Sequence, residues 1–304
     1  MDLHPGLQGP VITRTDSPRI KEASKLSRRA WRTKTRRFLV EGPQAVREAL
    51  ERQRELTPAA VTLPNRTSAD GAPPRPAAGA VLDVWATAEA AQRHPDLLET
   101  AAAARVRIRQ VIPEVLAQLT DTVASQEIVA VVEHLDVPLG QVVNRDARLL
   151  VVLSQVRDPG NAGTALRVAD AAGADAVIVT SSSVDVYNPK TVRSTAGSLF
   201  HIPVVTGVGL PEVAELARAR GLQVLAADAH PPAHDLHVPW DTGLDLSART
   251  AWVFGNEAWG LPEADRTVCD AAVAIPLYGK AESLNLATAV SICKIGRASC
   301  RERV

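Results

Sequence analysis

The chain has 304 residues, 46% of them apolar, enough to bury the core of one large or two modest globular domains. Its 34 Lys and Arg balance 34 Asp and Glu, so the net charge excludes no partner class and the placement of the charges must decide. Three cysteines without CxxC spacing exclude a disulfide framework, no apolar run is long enough for a membrane span, and MDLHPGLQGP lacks the regions of a signal peptide; a cytoplasmic protein is expected.

Residues 1–20 read as an N-terminal extension. From Arg14 to Arg37 ten Lys and Arg face two Asp and Glu, an excess concentrated enough to suggest nucleic-acid phosphate as a partner. The segment SPRIKEASKLSRRAWRTKTRR predicts a basic helix leading into the short strand FLVEG, and PQAVREALERQREL predicts a helix opened by proline. PNRTSADGAPPRPAAGA, residues 64–80, predicts a loop. A strand or helix at Val81 to Trp85, a helix near Pro113 to Leu119 and a strand at Glu127 to Val132 complete a small α/β domain over residues 21–138, with a linker at 139–146.

Residues 147–293 predict a second α/β domain. RLLVVLSQV is a continuous apolar strand, as parallel sheets covered on both faces require. DPGN turns the chain into the helix AGTALRVADAA, ended by Gly173, and DAVIVT returns as a strand. LPEVAELARARG and LQVLAAD repeat helix then strand; AWVFGNEAWGL is a strand opening into a glycine-bearing loop; AVAIPLYGKAESLNLATAV runs from strand through loop into helix. Three unusual loops thus follow strand carboxyl ends, where open parallel sheets hold ligands.

In the first loop, Asn161 can cap a helix, and Arg167, six residues on, offers five fixed donors to phosphate or another polar oxygen. The segment lacks GxGxxG and a Walker lysine, which weakens nicotinamide and P-loop readings. In the second loop, Gly255 and Gly260 permit tight backbone paths, Glu257 can accept donors or orient Arg167, and Trp259 can stack on a base or cover a core edge, with packing the preferred reading. In the third, Ile275 and Leu277 could line an adenine pocket, while Ser283 and Asn285 stand at a helix entrance as caps or ligand contacts. Lys190 and Arg193 in YNPKTVRSTAGSLF are equally readable as phosphate contacts or solvated surface. His94, His134 and His201 show no metal-ligand spacing, so no metal is expected.

Taken together, VRDPGNAGTALRVADAAG, VFGNEAWGL and IPLYGKAESLNLA closely resemble the ordered motifs of SpoU-type, or TrmH-like, RNA ribose 2′-O-methyltransferases of the SPOUT superfamily, over about Leu149 to Ala289. The preceding SPRIKEASKL…RRFLVEG region resembles the L30e-like substrate-binding domain often attached to them. The resemblance implies an α/β-knot, a deep trefoil knot with a parallel sheet, that binds S-adenosylmethionine at a homodimer interface and methylates a ribose 2′-hydroxyl. The expected substrate is ribosomal RNA, with guanosine compatible and transfer RNA an alternative. A noncatalytic RNA-binding protein of the same fold is the competing class. The implied cofactor contacts are Gly255, Ile275, Leu277 and Leu284, and the implied polar constellation is Asn161, Arg167, Glu257, Ser283 and Asn285, with Arg167 central. Arg28, Arg29, Arg32, Arg36 and Arg37, with Lys190 and Arg193, are expected at the RNA backbone.

KIGRASCRERV, residues 294–304, breaks the helical pattern of LNLATAVSIC without a cap and resembles translated adapter sequence; the helix is expected to be truncated near Cys293.

Overall fold

Five-residue runs such as LLVVL and AVIVT have no polar face, so they fold stably only where both sides of a sheet are covered. The computed structural model describes residues 3–61, 78–120, 127–238, 244–281 and 283–301, the side chains of 57–61 and 294–301 excepted. The loop predicted at 64–80 lies outside the described residues as far as 77, as do residues 302–304 of the suspected tail.

The chain divides into two compact units, one of residues 1–135 and 187–200, the other of 136–186 and 201–304. In the first, α1 (Pro18–Ser24) and α2 (Arg29–Thr35) lead to β1 (Arg37–Glu41) and α3 (Pro43–Val61). β2 (Val81–Ala86), α4 (Ala88–Arg93), α5 (Pro95–Ala103), β3 (Ile108–Gln110), α6 (Pro113–Leu116) and β4 (Ile128–Glu133) follow. The sheet order is β1-β4-β2-β3, with β4 antiparallel to both neighbours. The single basic helix predicted from the sequence is two helices divided by a 3-10 turn at Lys25–Ser27. The physical reason is Arg32: its side chain turns inward, 2% exposed, and its Nη1 donates to the carbonyls of Leu26 and Ser27 at 2.8 and 2.7 Å. Carbonyls that leave a helical ladder at such a break need donors.

The second unit begins with α7 (Leu139–Val142), β5 (Leu149–Leu153), α8 (Pro159–Ala171) and β6 (Ala176–Thr180). The stretch expected as a linker is therefore helical in part, and Leu139, Val142 and Val143 are buried in this unit's core. α9 (Pro189–Ser194) belongs with the first unit, packed on β1, where Arg193 Nη1 meets the 6%-exposed Glu41 carboxylate at 3.0 Å. β7 (Val204–Val208), α10 (Leu210–Ala219), β8 (Gln223–Ala227), β9 (His234–Asp235), β10 (Thr250–Phe254), α11 (Glu263–Arg266), β11 (Ala271–Ala274) and α12 (Leu286–Arg301) complete the unit. Its seven strands run in the order β7-β6-β5-β10-β8-β11-β9, all neighbours parallel. β5, β6 and β10 are buried at every position, as their composition requires.

α12 packs on α8 and continues past Cys293 to Arg301, where the sequence pattern predicts a break. Burial pushes the Cys293 thiol up to about 12, and burial beside Asp270 and Asp265 does the same to Cys269, so neither is a ready nucleophile near neutral pH.

Arg32→Ala would leave two carbonyls without their donor, whereas Arg29 is exposed. The expected loss for Arg32→Ala is about 2–3 kcal/mol, and Arg29→Ala should leave stability unchanged. Urea unfolding midpoints check both.

Candidate active site

The helix α8 opens on Asp158, not on Asn161: the Asp158 carboxylate accepts the Asn161 backbone N–H at 2.8 Å. This corrects the capping role read for Asn161 from its residue type alone. Relieved of capping, the Asn161 amide is used in both directions. Its Nδ2 donates to Glu257 Oε1 at 2.8 Å, and its Oδ1 accepts from Asn285 Nδ2 at 2.9 Å. Asn285 in turn caps α12, its Oδ1 accepting the Ala287 N–H at 2.9 Å. One amide thus ties the three unusual loops together.

Glu257 sits in a turn at the end of β10 that closes on itself. Asn256 and Gly260 exchange both backbone hydrogen bonds, at 3.0 and 2.9 Å, and the buried Asn256 side chain reaches the Gln155 carbonyl and the Ala258 N–H. Only glycine fits at 255, because a Cβ there would lie 2.5 Å from the Gly260 carbonyl carbon and oxygen. Gly260 itself has φ +69°, in the left-handed region.

Beside this turn lies a cavity of about 380 Å³, within the size range of small-molecule sites. Gly255, Ile275, Leu277 and Leu284 line it, as do Glu257 and Ser283. The walls combine an apolar surface from Ile275, Leu284, Leu286 and Ala289 with backbone and carboxyl groups from the β8 and β10 ends. Trp259, read as a packing residue, also lines the cavity but is 52% exposed; the turn it occupies projects outward instead of covering the core.

Asp228 and His230 are among the lining residues that escape the sequence reading. The signal was available in LAAD, an acidic residue following an apolar strand at the ligand-bearing edge of a parallel sheet.

Arg167 lies outside this constellation. It is exposed on α8 and absent from the cavity lining, and its side chain makes no hydrogen bond or ion pair among the described residues. Glu257 is bonded to Asn161, so it does not orient Arg167 within this chain. Six residues at helical spacing separate Asn161 and Arg167 by about 120° around the axis, which explains why one faces the cavity turn and the other does not.

The basic candidates separate by environment. Arg28 and Arg29 are exposed, whereas Arg32 is buried and withdrawn from any RNA surface. Arg36 is exposed with φ 59° at the end of α2, and Arg37, 43% exposed at the side chain, pairs with Glu133 at 3.0 Å. Lys190 is exposed, while Arg193 is engaged by Glu41. Lys25 and Lys34 place their ammonium groups 4.6 and 5.0 Å from the Trp31 ring centroid, gathering positive charge around one aromatic side chain. Among the described residues no group of three or more His, Cys, Asp or Glu could hold a metal.

Residues 148–295 match the SpoU rRNA Methylase family, and residues 17–130 match the MRM3-like substrate binding domain. The chain is 32% identical over 281 residues to the Bacillus subtilis 23S rRNA (guanosine(2553)-2′-O)-methyltransferase RlmP, covering 92% of this chain and 96% of the relative. It is 38% identical over 193 residues to a 23S rRNA (uridine(2479)-2′-O)-methyltransferase of Streptomyces viridochromogenes, covering 61% of this chain and 66% of that protein. Among solved structures, an AdoMet-bound rRNA methyltransferase from Sinorhizobium meliloti aligns with a TM-score of 0.75 at 26% identity, over 97% of this chain and 98% of that one.

Asn161→Ala removes both links of the bridge. The 255–260 and 283–289 segments should then exchange backbone hydrogen several-fold faster, with the distal strand β6 unaffected; hydrogen–deuterium exchange measures this, and unchanged protection of both segments would rule the bridge out as their tie.

Proposed function

This chain belongs to the SpoU rRNA methylase family and has its α/β-knot fold, and from that membership we infer how its own residues serve the reaction, methyl transfer from S-adenosylmethionine to a ribose 2′-hydroxyl of ribosomal RNA. The observation that carries the assignment of residues is the Asn161 amide joining Glu257 and Asn285 beside the 380 Å³ cavity. The cavity fits the cofactor in kind: apolar walls suit adenine, Gly255 exposes backbone, and a buried carboxylate oxygen of Asp228 has no donor among the described residues.

When bound, S-adenosylmethionine supplies a methyl group already activated by its sulfonium. What remains for the protein is alignment of the acceptor oxygen and management of one proton. Gly255, Ile275, Leu277 and Leu284 hold the donor in this reading. Asn161, Glu257 and Asn285 keep the three loops in register, and Ser283 lines the cavity as a further polar contact. Arg167 orients the RNA phosphate or hydroxyl and offsets charge developing on the 2′-oxygen; a substrate phosphate oxygen takes the proton, since a guanidinium stays protonated.

That Arg167 is exposed and does not line the cavity of its own chain supports a role at the cavity of a second copy, in a homodimer. Arg28, Arg29, Arg36 and Arg37, with Lys190, contact the RNA backbone, where charge positions the substrate without reading sequence. The Bacillus subtilis relative, which the chain covers over 96% of its length, supports guanosine of 23S ribosomal RNA as the target. No described helix is long and apolar enough to cross a membrane, and the proposed compartment is the cytoplasm.

The purified protein should transfer labelled methyl from S-adenosylmethionine to ribosomal RNA, and mapping of the product should find a 2′-O-methylguanosine. Methylated uridine would overturn the base assignment, and product in transfer RNA alone would overturn the substrate assignment. RNA binding without turnover on either substrate would favour the noncatalytic class.

Arg167→Ala should lower turnover by roughly 10²-fold or more, as loss of a charge-stabilising donor does, with cofactor affinity kept. Mixed with a Gly255→Ala chain, whose added carbon would strike Gly260, it should regain activity that neither variant has alone. No gain on mixing would place Arg167 in its own chain's site.

A further inference from the structure

Asp228 follows the last residue of β8, and its backbone N–H still pairs with the sheet, donating to the Val273 carbonyl at 3.1 Å. Its side chain is 2% exposed. Oδ1 is filled twice by the next turn, accepting the His230 backbone N–H at 2.8 Å and bonding His230 Nδ1 at 2.6 Å. A carboxylate acceptor requires the ring proton of that bond to sit on Nδ1.

Oδ2 is buried and has no hydrogen-bond partner among the described residues. It lies beside Gly260, where a built Cβ would stand 3.6 Å away, so residue 260 places no side chain against it. A carboxylate oxygen removed from water without a donor is costly, and such groups are rare in native folds. The local turn does not explain it, because Oδ1 alone satisfies the turn. Asp228 and His230 both line the cavity assigned to the methyl donor.

We propose that Asp228 is a cofactor-binding residue whose Oδ2 accepts a hydrogen bond from a ribose hydroxyl of S-adenosylmethionine. The inference rests on the reading of the cavity as the methyl-donor site. Among the donor-bearing groups of that molecule, the adenine suits the apolar wall of Ile275, Leu277 and Leu284. The ammonium carries its own carboxylate as counter-ion. The ribose diol, between them, brings hydroxyl donors to a carboxylate that lacks one. An acid at the carboxyl end of a parallel strand performs the same recognition in dinucleotide-binding folds.

The test is equilibrium binding by calorimetry to the full chain, using S-adenosylhomocysteine and its 2′-deoxy and 3′-deoxy ribose analogues. Asp228→Ala should weaken S-adenosylhomocysteine roughly 10–100-fold, the range for a hydrogen bond to a charged group. At least one deoxy analogue should lose a comparable factor against the unaltered chain and little more against Asp228→Ala. Equal affinity of Asp228→Ala and the unaltered chain overturns the proposal. A deoxy penalty that persists undiminished in the variant also overturns it, by moving the carboxylate to another group. Should the variant not fold by circular dichroism, the unaltered chain decides alone: tight binding of both deoxy analogues refutes ribose recognition by any acceptor there. No binding of S-adenosylhomocysteine at all by the folded chain would instead refute the cavity assignment, and this proposal with it.

Discussion

A primary amide has one acceptor oxygen and one donor nitrogen pointing in different directions, so it can bridge two polar groups that could not bridge each other. Asn161 uses this property across 96 residues to Glu257 and 124 residues to Asn285. Aspartate at 161 would have no donor for Glu257, and an apolar residue would satisfy neither neighbour. The bridge is available only because Asp158 takes over the capping of α8. The β10 turn, the loop before α12 and the mouth of α8 are therefore set relative to one another by a single side chain, and the wall formed by Ile275, Leu277 and Leu284 stands beside the carboxylates as a consequence.

The cavity shows how parallel-sheet topology collects function. β10 lies between β5 and β8, so loops distant in sequence emerge side by side at the carboxyl edge. Gly255 and Gly260 let the chain fold back tightly there, and Asp228 enters from the adjacent strand end. The methyl donor brings its own reactivity. What this architecture contributes is placement, and placement is what short, mutually bonded loops on a rigid sheet can supply.

The basic stretch of the first unit carries a different lesson, since its arginines look alike in sequence and differ in environment. Arg28 and Arg29 face water, Arg37 shares its charge with Glu133, and Arg32 is spent on two backbone carbonyls. Arg193 likewise neutralises the buried Glu41 carboxylate within the first unit. A local charge excess marks a surface for phosphate, but each buried guanidinium subtracts from it. Burial of an arginine depends on which carbonyls or carboxylates the fold leaves short of donors, and that is a property of the packed chain.

Much of the architecture is determined by the chain's own pattern. The apolar runs of β5, β6 and β10 have no face to offer water, so a covered parallel sheet follows from them, and the loop residues Gly255, Glu257, Ser283 and Asn285 stand out because they interrupt that pattern at strand ends. Local pattern does not encode which distant groups meet. The exchange of capping from Asn161 to Asp158, the inward turn of Arg32, the attachment of α9 to the first unit and the Asp228 oxygen left without a partner among the described residues all follow from packing. Periodicity reports which face of an element is buried; hydrogen-bond partners and orphaned acceptors are fixed only when elements from different parts of the chain compete for the same space.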